Sequence, residues 1–402
     1  MVESDSRSGS PRLLVLGAGP AQLGLLEAAR ARGLWLAVVD RDPAAPGFRF
    51  ADRRCILSTE DEPAIERLVG ALGIDGLVAP GTDWPVGVGA RIADRAGLSH
   101  PISPQTAVLV TNKLRQRERL REAGVPQPGW WVVGAEEAPP EVASSVVVKA
   151  PDRQGQKGLT LVDDPSRLPA ALETARAASR GGVALVEELV DGPEVTVVGF
   201  SAGGALTPLV VTDRVVAEPP AFGVALAHVW PSLVSDTAKV SDVVSQALAA
   251  LGVTDGPSYV QLRIAADGPR VIEVAARLGG GHDAELAETV TGVDLNGLAI
   301  DAALGTMLVP ARHKPRVGGA VTRFLVARPG VLASVELPPS LEGIERVRIY
   351  REPGYVIVPL RRGSDRAGAV LAVGDSREEA VARANAAAER IRFVTADAGA
   401  LV

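Results

Sequence analysis

Apolar positions follow two rhythms along this chain. Short continuous runs at Arg12–Leu16 and Trp35–Asp40 predict buried strands, and the stretch Gln22–Arg32 between them predicts a helix that Gly33 can stop. The alternation continues with strand Arg54–Leu57, helix Glu62–Leu72, strand Gly76–Ala79 and helix Pro85–Ala96. Apolar strands separated by helices predict a parallel sheet covered on both faces.

Further along, the spacing changes. Thr111–Glu122 predicts a polar-faced helix, broken at Gly124-Val125-Pro126-Gln127-Pro128. Val146–Lys149 reads as a strand ending in a cation, Asp152–Gly158 as a polar glycine-rich loop, and Leu159–Val162 as the returning strand. Helix Ser166–Ser179 and strands Val183–Glu188 and Val195–Phe200 follow. Tyr259–Ile264 and Pro269–Val274 predict a hairpin across Ala265–Gly268, then come Gly279-Gly280-Gly281-His282 and helix Asp283–Thr291. Near the end, Gly318–Val326 and Gly368–Val373 predict strands, and Ser376–Val394 a helix.

Composition narrows the class. With 402 residues, 47% of them hydrophobic, the chain is long enough for two or three structural units with buried cores. A formal net charge of −6 argues against a nucleic-acid binder that works mainly by electrostatics. The single cysteine, Cys55, excludes an internal disulfide framework and a cysteine-cluster metal site. An uninterrupted apolar span of about 20 residues is missing from the sequence, and Met1–Ser10 has no apolar signal stretch. The expectation is a cytoplasmic α/β protein without a membrane partner. Residues 1–10 read as a flexible tail, 11–110 as an N-terminal α/β domain, 111–309 as the catalytic region, and 310–402 as a C-terminal α/β domain that closes the substrate site.

Several segments carry chemistry. Gly17–Gly24 suits a tight strand-to-helix turn, either purely structural or cradling a pyrophosphate with Asp40 near a ribose. Pro80–Asp83 is either an ordinary turn or a substrate loop. Lys149 and Lys157 flank a loop rich in backbone donors, a combination that holds phosphate oxygens, although each alone also suits a solvent-facing lysine. Glu187-Glu188 and Gly192-Pro193-Glu194 follow, and Glu194 is able to accept bonds from ribose hydroxyls. Because alternate strand residues share a face, Gln261 and Glu273 point together if the hairpin register sets them opposite. Oxygen ligands of that kind suit Mg²⁺. Arg277 lies four residues beyond Glu273 and offers paired donors to phosphate or carboxylate. The alternative for this segment is a surface hairpin with one polar strand.

The order of these elements resembles the ATP-grasp superfamily, and within it the ATP-dependent carboxylate–amine ligases, including the L-amino acid ligases. The resemblance covers nearly all of Pro11 to Ala396. It implies an ATP-grasp architecture with an N-terminal Rossmann-like domain of the biotin-carboxylase kind and a C-terminal α+β domain. It further implies Lys113 and Lys149 on the phosphates and a mobile Asp152–Gly158 loop. Glu187 and the Glu188-Leu189-Val190 backbone would lie around the adenine, with Glu194 on the ribose. Glu273 would bridge Mg²⁺ ions (Mn²⁺ can substitute), and Arg277 would hold the transferring phosphate or a bound carboxylate. Thr212-Asp213-Arg214 through Pro220, His228, Pro231 and Ser232 resembles the substrate-facing insertion of this branch. Many relatives have a carboxylate where this chain has Gln261 and an Asn where it has Ala275; Gln can still ligate through oxygen, whereas Ala275 cannot.

The expected reaction is ATP-dependent joining of a small carboxylate to an amine, amino acids among the candidates, through an acyl phosphate. His228 and His282 are secondary candidates for contact with the amine, or else structural histidines. Asp213 and Arg214 either select a charged substrate terminus or form an exposed turn. Alternatives are an ATP-grasp enzyme using bicarbonate or formate with a purine-precursor amine, a nicotinamide oxidoreductase, and a noncatalytic ATP-binding protein. A homodimer is compatible with the resemblance.

Overall fold

The computed structural model describes residues 9–138, 140–142, 144–311 and 314–396. Of the tail expected at 1–10, residues 1–8 lie outside that set.

The N-terminal strands β1 (Arg12–Leu16), β2 (Trp35–Asp40), β3 (Arg53–Ile56) and β4 (Gly76–Val78) form a parallel sheet in the order β3-β2-β1-β4. Strand β1 alternates between two cores. Leu14 and Leu16 pack toward Ile65 and Val69 of α2 (Glu62–Leu72) and Ile92 of α3 (Trp84–Ala96). Leu13 and Val15 join Leu25, Leu26 and Ala29 of α1 (Leu23–Ala31). These four side chains are fully buried, each worth about 1.5–3 kcal/mol of burial. Helix α2 starts where the Asp61 side chain accepts from Ala64 N and ends at Gly73, whose φ of 57° suits glycine at a left-handed cap.

Helices α4 (Pro104–Val110) and α5 (Lys113–Glu122) lead into a second, antiparallel sheet. It contains β5 (Trp130–Val133), β6 (Val146–Lys149), β7 (Thr160–Val162) and, after α6 (Leu168–Ala178), β8 (Ala184–Glu188), in the order β5-β8-β6-β7. Its apolar face, Val146, Val148 and Val186, packs on Leu168, Leu172 and Ala175 of α6.

The largest sheet has eight strands. In chain order these include β9 (Glu194–Ala202), β10 (Ala205–Val216), β11 (Ala225–Trp230), then, after α7 (Thr237–Ala250), β12 (Gly256–Ala265) and β13 (Gly268–Ala275). Helices α8 (Asp283–Thr291) and α9 (Leu295–Ala303) precede β14 (Gly319–Leu325). The chain finishes with β15 (Gly330–Glu336), β16 (Ile344–Ile349), β17 (Val356–Ile357), β18 (Gly368–Gly374), α10 (Arg377–Arg390) and β19 (Arg392–Ala396). The sheet order is β13-β12-β9-β10-β11-β14-β18-β16, and β17-β15-β19 form a small separate sheet. Strands on both sides of residue 310 therefore share one sheet. Leu298, Ala299 and Ala302 of α9 also pack into the core beneath β1, which ties the catalytic region to the N-terminal sheet.

The stretch resembling a substrate-facing insertion includes strands β10 and β11 of the large sheet, with Asp213 opposite Val229, Arg214 opposite His228 and a register shift between Val215 and Val216. One expectation changes. The final helix stops at Arg390, not Val394, because Arg392–Ala396 pairs antiparallel with β15. Phe393, Val394 and Thr395 are β-branched or aromatic and favour the strand once that edge is available.

Candidate active site

Glu273 and Gln261 are paired directly across the β12–β13 hairpin. The register then shifts, with Leu262 opposite Val271 and Ile272 left as the extra residue of a bulge. Bulges re-aim neighbouring side chains, and here both polar side chains line a cleft of about 560 Å³. Gln261 Nε2 donates to Tyr259 Oη at 3.3 Å.

Strand β13 is a sheet edge, and α5 covers it. Gln116 of α5 accepts from Val274 N at 3.0 Å and donates to Val274 O at 2.8 Å. Arg117 donates to Val271 O at 2.8 Å and Ile272 O at 2.7 Å. These bonds satisfy backbone groups that an edge strand would otherwise leave open. They also fix the helix so that Lys113, capped from Asn112, sets its Nζ 2.8 Å from Glu273 Oε1. Lys113 also donates to Arg153 O at 2.9 Å, tying the glycine-rich loop to the same point. Burial disfavours the Lys113 ammonium, but Glu273 and Asp83 outweigh it and raise the pKa. Burial likewise opposes the Glu273 carboxylate, while Lys113, Lys149 and Arg277 lower its pKa overall.

Arg117 was not singled out by sequence. It is 1% exposed, and its Nε lies 2.6 Å from Glu187 Oε1, while Lys149 pairs with the other oxygen of Glu187. The available signal was spacing, since Lys113 and Arg117 are one helical turn apart on the same face. Burial would raise the Glu187 pKa, but Arg117 and Lys149 bring it down to about 2. Glu187 is thus committed to two cations. The other residues expected around the nucleotide are tied as well. Glu188 accepts from Gly129 N at 3.1 Å, and Val190 O accepts from Arg263 at 3.0 Å. Glu194 pairs with Arg214 and lies 3.6 Å from Arg263. None of these four, nor Lys113 or Lys149, lines the cleft that holds Glu273 and Gln261.

The opposite wall comes from the N-terminal sheet. Asp83 Oδ1 lies 2.7 Å from Arg277 Nε, and Asp83 N donates to Gln154 of the glycine-rich loop. Gly81, Thr82 and Asp83 line the cleft, which assigns the Pro80–Asp83 loop to the site. The Gly17 turn also reaches it, but Gln22 lies across that turn and donates to Pro80 O at 2.6 Å. Asp40 accepts from the turn's own Ala18 N at 2.8 Å. At Gly279, any side chain would strike the Tyr259 ring, so glycine lets the Arg277 segment pass close to β12.

The two candidate histidines separate. His228 lines the cleft, with Nδ1 3.5 Å from Asp283 and its ring edge-on to Tyr259 and Phe324. Burial, with nearby Arg214 and Arg366, pushes its pKa down to about 4 despite Asp283. His282 is not among the lining residues. Its Nδ1 faces Glu285 at 3.2 Å and its Nε2 faces Tyr350 Oη at 2.5 Å. Lys157 lines the cleft, as do Arg214 of β10 and Arg366, which lies just before β18. Asp213, by contrast, is bonded to Ser232 and Arg377.

Among the described residues, no group of three or more His, Cys, Asp or Glu could hold a metal ion alone. Glu273 and Gln261 still supply two oxygens on one face, the donor type Mg²⁺ takes, and Ala275 adds none. Mg²⁺ commonly keeps waters and phosphate oxygens as its remaining ligands. The pair therefore fits an ion that arrives with nucleotide phosphates.

A small antiparallel sheet, an eight-stranded sheet, a lysine–glutamate pair joining α5 to β13 and a glycine-rich loop at the cleft are the architecture of an ATP-grasp protein. Residues 110–281 match the ATP-grasp domain model, and residues 323–396 match the L-amino acid ligase C-terminal domain 2 model. The uncharacterized protein y4rH of Sinorhizobium fredii (strain NBRC 101917 / NGR234) is 28% identical over 376 residues, 88% of this chain and 77% of its own. A formate-dependent phosphoribosylglycinamide formyltransferase of Burkholderia cenocepacia (strain HI2424) is 27% identical over 414 residues, 96% of each chain. The solved L-amino acid ligase from Bacillus licheniformis has the same fold, with a TM-score of 0.81 at 21% identity over 97% of this chain and 100% of that one. The chain belongs to the ATP-grasp superfamily and is related to its carboxylate–amine ligases, including the L-amino acid ligases.

Proposed function

We propose that this protein is an ATP-dependent carboxylate–amine ligase that forms an amide or peptide bond through an acyl phosphate. The observation that carries the reading is the opposition of Gln261 and Glu273 in one cleft with Lys113 on Glu273 and Arg277 beside them. In the first step a carboxylate oxygen attacks the γ-phosphorus of ATP and ADP leaves. In the second an amine attacks the acyl carbon, phosphate leaves, and the amine proton is lost. Lys113, Lys149 and Lys157 position the phosphates, and Glu187, Glu188, Val190 and Glu194 form the surroundings of the nucleoside once the lid opens. Glu273 and Gln261 would hold Mg²⁺, which neutralises phosphate charge. Arg277, oriented by Asp83, steadies the carboxylate. His228 is neutral at ordinary pH, a state that lets one ring nitrogen accept from an amine. Such catalysis rests on positioning and electrostatics, with the Gln154–Asp83 contact limiting hydrolysis of the intermediate.

A second reading is an ATP-grasp enzyme using formate or bicarbonate with a purine-precursor amine. The match to the Burkholderia cenocepacia formyltransferase, spanning 96% of both chains, favours it. ATP-dependent phosphate release across panels of carboxylates and amines, with product masses read in the same reactions, tests both. Release of ADP and phosphate that requires both substrates and yields an amide mass supports the first reading. Turnover confined to formate or bicarbonate with a purine-precursor amine supports the second. Bound ATP without turnover for any pair would contradict both.

A further inference from the structure

Beyond the glycine-rich loop lies a second cavity of about 710 Å³. Gln156, Lys157 and Arg362 line both it and the central cleft, so the two meet at that point. Leu159, Leu161, Pro219 and Phe222 give the outer cavity apolar walls.

Its charges do not balance. Arg153, Lys157, Arg167, Arg361 and Arg362 face one carboxylate, Asp163, which Arg167 already holds at 3.2 Å. Among the described residues, Arg153, Lys157, Arg361 and Arg362 form no ion pair. This occurs in a chain with a formal net charge of −6, so general basicity does not explain it. The cluster is also held in place. Arg153 Nε donates to Ala178 O at 2.5 Å. Gln156, with a left-handed φ of 63°, donates to Gly223 O at 3.4 Å and accepts from Gly363 N at 3.3 Å. Lys157 follows it directly. Burial, together with the charges of Arg362, Arg41 and Arg153, lowers the Lys157 pKa, partly offset by Glu60. Like charges gathered in one concavity repel until an anion joins them, and arginine forks bind phosphoryl and carboxylate oxygens best.

We propose that this outer cavity is a binding site for a small, multiply charged oxyanion, phosphoryl or polycarboxylate, held chiefly by Arg361, Arg362, Arg153 and Lys157. It adjoins the Glu273–Gln261 cleft at Gln156, Lys157 and Arg362, while Arg153 and Arg361 line only the outer cavity.

The test is calorimetric titration of the full chain, with magnesium ADP saturating, using sulfate in one arm and tricarballylate in the other. Two variants map the site: Arg361→Gln, which lines only the outer cavity, and Thr174→Glu, which sets a carboxylate on its wall. Both positions are exposed, so folding should survive. One anion should bind per chain, and each variant should weaken it by about tenfold, the loss of one charge-assisted contact. Stronger binding of sulfate identifies a phosphoryl-type ligand, and stronger binding of tricarballylate a polycarboxylate. Failure of both anions to bind, or unchanged affinity in either variant, would overturn the proposal. The readout needs no turnover, so it stands or falls apart from the ligase reading.

Discussion

Arg277 Nε and Asp83 Oδ1 lie 2.7 Å apart although 194 positions separate them in the chain. Asp83 occupies the N-cap of α3, yet its carboxylate makes no capping bond and goes to Arg277 instead. The N-terminal sheet thereby sets the direction of a guanidinium that lies beside Glu273. This contact joins the first domain to the site, whose wall also includes Gly17, Gly81 and Thr82.

Asp83→Ala should therefore leave nucleotide affinity unchanged and lower kcat/KM for the carboxylate by roughly 10- to 100-fold, the usual effect of a misplaced orienting group. Steady-state kinetics alongside ADP titration would check it. A drop in ADP affinity of the same size would place Asp83 in nucleotide binding instead.

Glu273→Gln removes the cleft carboxylate that pairs with Lys113. A fall in kcat of about 100-fold or more is expected, together with a higher Mg²⁺ requirement. Gln261→Glu should move the other way and lower the Mg²⁺ concentration for half-maximal activity. A magnesium titration of all three proteins reads both effects.

The Arg117–Glu187–Lys149 cluster should govern stability. Removing one partner of a buried ion pair costs about 3–5 kcal/mol, so Arg117→Ala should lower Tm well beyond a surface substitution. The Glu187 pKa falls from 4.5 to about 2 on folding. Its contribution is complete above about pH 4.5 and is lost as pH falls toward 2. Glu187→Gln should be less stable at neutral pH and lose less between pH 4.5 and 2, as melting curves across that range would reveal.

Tyr350→Phe and His228→Gln should separate the two histidines. Phenylalanine at 350 deprives His282 Nε2 of its partner and should cost about 1–3 kcal/mol with kcat nearly unchanged. His228→Gln should lower kcat/KM with little change in Tm. With its pKa near 4, His228 should also produce no limb around pH 6.5 in the rate profile of the native protein.

Much of this site was legible in the sequence because strand alternation is local. The hairpin pattern placed Gln261 and Glu273 on one face, and the pairing sets them opposite. The first sheet was readable for the same reason, since parallel buried strands show as continuous apolar runs. Arg117 and Arg366 were harder, because no local periodicity marks them, whereas Asp83 and Arg214 stood out only as either substrate contacts or turn residues. Arg117 is the clearest case: a fully buried arginine on a helix whose other residues are mostly polar. His282 was open between a contact to the amine and a structural histidine. The glycine run before it suggested a ligand loop, but Tyr350, supplied by the last region of the chain, takes up its ring nitrogen.

The central claim is that amide formation passes through an acyl phosphate, and oxygen-isotope transfer tests it most directly. With both oxygens of the accepted carboxylate labelled with ¹⁸O, mass spectrometry should find one labelled oxygen in the released phosphate and the other in the amide. Phosphate free of label, formed alongside the amide, would contradict attack of the carboxylate on the γ-phosphorus.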